Sequence, residues 1–148
     1  MADTVAGTAS ASRPRRGTRR AAATPTADAA PTLRILETRV LRGPNYWARE
    51  PVIRLLVDLG VLEEYPSNLL PNFTDALVAL LPTLEDHACS LGRRGGFITR
   101  LREGTWAGHV AEHVGLEFQN LAGTDVRHGK TRGAGKPGQY NCIFEYRE

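Results

Sequence analysis

Strands first, helices in the middle and a strand at the end predict an α+β fold: a small mixed or antiparallel sheet with helices packed on one face. Three observations support it. Two apolar runs near residues 33–60 suit strands, residues 72–122 hold segments of helical period between Pro and Gly breaks, and YNCIFEY closes the chain as a strand. Residues 1–32 are Ala, Thr, Ser, Pro and Arg without a period. Such a segment buries too little apolar surface to offset its ordering entropy, so a disordered tail is expected there and a folded domain over 33–148.

Within the domain, Leu33–Leu41 alternates as a strand, and Arg42-Gly43-Pro44-Asn45-Tyr46-Trp47 reads as a turn. Pro51–Gly60 reads as a second strand, with helix as the rival because Leu dilutes its β-branched residues. A loop starts at Pro66. Helices are expected over Asn72–Leu81, Pro82–Cys89 and Gly96–Glu103, separated by the loop SLGRRGG and closed at Gly104. The longest helix runs Trp106–Ala122, capped by Thr105 and ended by Gly123. Residues 124–138 form a polar loop with a short strand, and Tyr140–Tyr146 is the last strand.

Charge divides unevenly. The tail holds five Arg and two Asp, which account for the whole net charge of +3; residues 33–148 carry fourteen basic and fourteen acidic side chains. The body therefore gives no electrostatic reason to bind nucleic acid. No apolar run approaches the ~18 residues of a membrane span, and no secretory leader is legible, so a cytoplasmic location is expected. Cys89 and Cys142 are too few for a disulfide framework and read as small buried apolar residues.

The chemistry lies on the long helix. At 100° per residue, Ala107, Val110, Ala111, Val114, Phe118, Leu121 and Ala122 share an arc expected to pack on the sheet. The opposite arc carries His109, Glu112, His113, Leu116, Glu117 and Asn120. His109-Val-Ala-Glu112-His113 matches H-x-x-E-H, the inverted zinc-hydrolase motif. Imidazoles one turn apart chelate a divalent ion, zinc by preference, and a neighbouring carboxylate takes a proton from the attacking water. Helix spacing nominates Glu117 as third ligand, with Glu85, Asp86 and His87 as rivals. The same motif on a merely solvated face would carry no chemistry.

Two other strings fail their context. Gly133–Gly138 fits G-x-G-x-x-G but has polar flanks and a strand after it, and Gly129-Lys130-Thr131 lacks the earlier glycine of a phosphate loop. Neither marks an ATP site. Arg93, Arg94, Arg100 and Arg102 cluster around a glycine loop, either solvated or able to grip carboxylates. Tyr46 and Trp47 can stack on a guanidinium or cover a core edge.

Six blocks in order resemble the N-terminal domain of the cyanophycin synthetase family: LRGPNYW (41–47), PSN (66–68), RGGF (94–97), REGTW (102–106), GHVAEHVGLE (108–117) and YNCIFEY (140–146). The family joins Asp and Arg into a poly-aspartate backbone bearing arginine on each side chain. Its ATP-grasp and Mur-ligase-like domains are not within these 148 residues, so the resemblance implies no ligation by this stretch alone. It implies instead a polymer-holding role, through Arg93, Arg94, Arg100, Arg102, Tyr46 and Trp47, and partnership with ligase domains in a homo-oligomeric enzyme. It also implies a slow metallopeptidase-like cleavage that makes primers, with His109 and His113 holding the metal and Glu112 as base. A purely non-enzymatic binding and assembly module is the alternative. Arg93 stands where the family often has a second cysteine.

Overall fold

The computed structural model describes residues 33–147; the expected tail, 1–32, lies outside them. Four antiparallel strands form one sheet in the order β1-β2-β4-β3: β1 Arg34–Leu41, β2 Val52–Asp58, β3 Gly129–Gly133 and β4 Gln139–Glu145. The two long strands in the middle are the two richest in apolar residues, as burial on both flanks requires. Residues 52–58 are therefore strand, not helix, Gly60 opens a 3-10 turn, and β1 shifts register between Ile35 and Glu37. The turn after β3 contains Gly135 and Gly138 at φ 85° and 74°, so that glycine string serves the β3–β4 connection.

The helical part comprises α1 Phe73–Leu80, α2 Gly96–Glu103 and α3 Ala107–Leu121. The expected helix over 82–89 is instead two short 3-10 turns, Pro82–Asp86 and Cys89–Leu91. A close approach fixes the start of α2. A Cβ on Gly96 would sit 1.9 Å from the Ala88 carbonyl oxygen, so only glycine fits there. α3 begins one residue later than expected. Trp106, not Thr105, holds the N-cap position, and no side chain caps it.

α3 lies between two apolar clusters. Toward the sheet, Ala107 joins Val57, Leu59 and Cys142. Away from it, Val110 and Val114 join Leu84, Phe97, Ile98 and Leu101. The orientation corrects the arc expected from hydrophobicity. α3 meets the sheet through Gly108, Glu112 and Gly115, where missing side chains let the helix approach Cys142, Tyr140 and the Phe144 ring. Phe118 and Leu121, expected against the sheet, are 58% and 60% exposed. The opposite arc is the buried one, with Glu112, His113, Leu116 and Glu117 all under 6% exposed.

Candidate metal centre

Four elements converge on the buried arc. α3 supplies His109, Glu112, His113 and Glu117, the 82–91 turns supply Thr83, His87 and Cys89, α2 supplies Phe97, and β3 supplies Thr131. They border an open cavity of about 1150 Å³, whose sheet-side wall includes Gly129–Arg132. The Phe97 ring stacks on His113 at 3.9 Å between centroids and meets His109 edge-on at 5.7 Å. One fully buried core residue thus fixes both imidazoles.

The donor atoms of Cys89, His109 and His113 lie within 4.8 Å of one another, and Cys89 Sγ stands 3.3 Å from His109 Nε2. Cys89 was expected to be a buried apolar filler. It is half-buried, has a left-handed backbone (φ 52°), and turns its thiol toward the histidines. Left-handed geometry disfavours a side chain by ~1–2 kcal/mol, strain of the kind kept at functional positions. Cys142 does fill the core: its thiol donates to the Gly108 carbonyl at 3.2 Å, and burial pushes its pKa up to about 12.

Hydrogen bonds dictate which ring nitrogen is free. Thr105, the expected helix cap, instead places its hydroxyl 2.9 Å from His109 Nδ1, leaving His109 Nε2 to face Cys89. Glu117, the expected third ligand, points away from the donor cluster. Its carboxylate accepts from the Thr83 hydroxyl and lies 2.9 Å from His87 Nε2. His87 Nδ1 lies 2.9 Å from His113 Nδ1, so Nδ1 of His113 is engaged by His87 and Nε2 is the nitrogen left to face a ligand. Burial first, and then the neighbouring histidines, depress the His113 pKa to about 3; burial and then Arg100 lower that of His109. Both rings are neutral at pH 7, as ligands must be.

Glu112 is 5% exposed and accepts from Thr131 Oγ1 at 2.5 Å. Burial raises its pKa to about 7, against a smaller lowering by Thr131. A Cβ on Gly129 would come 2.5 Å from Glu112 Oε1, so that glycine makes room for the carboxylate.

The expected polymer contacts disperse. Arg100 borders the cavity, has a 3.4 Å ion pair with Glu103, and keeps a buried Nε without a partner. Arg94 pairs with Asp86 at 2.5 Å, Arg102 lies 3.8 Å from Asp75, and both line a separate groove with Glu85 and Glu103; Arg93 is exposed. Tyr46 and Trp47 pack edge to face at 4.9 Å in the β1–β2 turn and do not border the cavity. No helix among the described residues is long and apolar enough to cross a membrane.

Fold and site together define an α+β domain with a histidine–cysteine donor cluster and a buried carboxylate at the cavity floor. The cyanophycin synthase-like N-terminal domain model matches residues 54–148, and the chain belongs to that family. Over 116 residues, 77% of this chain, it is 50% identical to a cyanophycin synthetase of Geminocystis herdmanii, 49% to one of Synechocystis sp. and 51% to one of Trichormus variabilis. The chain spans only 13% of the length of these relatives.

Proposed function

We propose that this domain serves cyanophycin synthesis by binding the polymer and hydrolysing its aspartyl backbone slowly, using one divalent ion. The observation that carries the reading is the convergence of Cys89, His109 and His113 at a cavity that the buried Glu112 also borders. The donors fit the group. One thiol and two neutral imidazoles are a zinc-type set, and ligands ~2.0–2.3 Å from a tetrahedral ion stand roughly 3.5 Å apart, close to the Cys89–His109 separation. Glu117, nominated by spacing alone, gives up the third place to Cys89 in this reading. The ion would polarise a backbone carbonyl and acidify water.

The chain's own groups do the rest. Glu112 takes the proton of the attacking water and returns it to the departing amine, a task suited to a carboxylate titrating near neutrality. Thr131 holds that carboxylate in place through its hydroxyl, and Phe97 fixes the imidazole planes. Arg100, which borders the cavity, meets a polymer carboxylate. The test is the isolated chain incubated with cyanophycin. Slow shortening that a chelator stops and zinc restores is the expected result; a polymer unchanged over days contradicts hydrolysis and leaves only the binding module.

Glu117 and His87 act through His113 as positioning residues. Glu117→Ala is expected to weaken zinc affinity ~10–100-fold, as loss of an orienting partner does. Competition against a chromophoric chelator measures it, and an unchanged affinity would remove the role.

A further inference from the structure

β3 is an edge strand, and its backbone borders the same cavity as the metal-type donors. The ladder to β4 shows which of its groups are free among the described residues. Glu145 N–H donates to the His128 carbonyl and Ala134 N–H to that of Gln139, so residues 128, 130, 132 and 134 face β4. In an antiparallel pair the alternate residues turn their N–H and C=O outward. Those residues are Gly129, Thr131 and Gly133, two of them without side chains. Thr131 is also the residue whose hydroxyl holds Glu112.

We propose that this free edge is the polymer-docking site: an extended peptide backbone adds as a fifth strand along Gly129–Gly133. The inference rests on the polymer reading above and specifies how the substrate is held. An added strand lies ~4.8 Å from its neighbour, which sets a backbone amide beside Thr131 and hence beside Glu112. A poly-aspartate chain has the N–H and C=O groups that this pairing needs. Its substituents then alternate between the two faces. One row, bearing a carboxylate and a guanidinium on each unit, meets the cavity wall with Arg100 and Asp86. The other meets the face where strand alternation puts Lys130 and Arg132. Thr83 and the segment Asp86–Ser90 form another wall of the cavity, facing the docked chain.

The test uses the full chain carrying Glu112→Gln, so that bound polymer is not consumed, with cyanophycin oligomers as probe and zinc content measured in parallel. Gly133→Pro deletes an outward N–H on a strand edge, where proline is tolerated; Gly133→Ala keeps that N–H, and its Cβ meets nothing within 4 Å. Gly133→Pro is expected to weaken oligomer binding at least fivefold, with zinc unchanged and Gly133→Ala within twofold of its parent. Equal binding by the Pro and Ala variants overturns the edge alone. Absence of binding by the Gly133 parent overturns the polymer reading and the edge with it. An oligomer N-methylated along its backbone tests the same hydrogen bonds without altering the protein. It is expected to bind at least fivefold more weakly, and equal binding overturns the proposal even where Gly133→Pro fails to fold.

Discussion

Glu112→Gln is expected to abolish cyanophycin shortening, a loss of at least 10³-fold, while zinc stoichiometry and polymer binding persist. The amide matches the carboxylate in shape and still accepts from Thr131, but it takes no proton. Stability should move the opposite way. In the metal-free protein, burial holds the Glu112 carboxyl at about 7, above its ordinary 4.5. Between those values unfolding releases a proton, so stability falls as pH rises through that window. The Gln variant escapes this loss and should be about 3 kcal/mol more stable at pH 8, with the advantage gone near pH 4.5. Chelated protein melted across this range checks the sign. Retained cleavage by Glu112→Gln would end its role as base.

Phe97→Ala should be the most damaging single change to both core and site. Phe97 is fully buried with Leu84, Ile98 and Leu101, and truncations of this kind cost ~3–5 kcal/mol. It also removes the ring stacked on His113 and the edge that stops His109 from turning. Urea melts should show the stability loss, and zinc affinity measured below the unfolding range should fall too. Phe97→Leu restores most of the volume but no flat ring face, so it should recover stability better than affinity. Equal recovery of both would reduce Phe97 to a packing residue.

Local signals located the elements well, because strand alternation, proline starts and glycine stops are short-range. The orientation of α3 was not legible in the same way. An arc count weighs side chains that are present, whereas α3 meets the sheet through Gly108 and Gly115, where side chains are missing. The count therefore set Phe118 and Leu121 against the sheet, although both are exposed, and the histidines on the opposite arc. His109, Glu112 and His113 were visible because i and i+4 positions share a helix face. Cys89 was not, since it lies twenty residues upstream in a separate turn and only the tertiary fold brings it to His109. Its one local trace is a left-handed backbone, which the sequence does not display. Glu117 had the right helical spacing, but His87 and Thr83 hold its carboxylate. The arginine cluster was adjacent in sequence yet fans around the short helix α2, so only Arg100 reaches the cavity.

Cobalt titration of the full chain tests the central claim most directly, because thiolate ligation leaves an absorption band of its own. One equivalent bound, with a sulfur-to-cobalt band that Cys89→Ser removes and His113→Ala weakens, is the predicted result. No stoichiometric binding, or a band that survives Cys89→Ser, would contradict it.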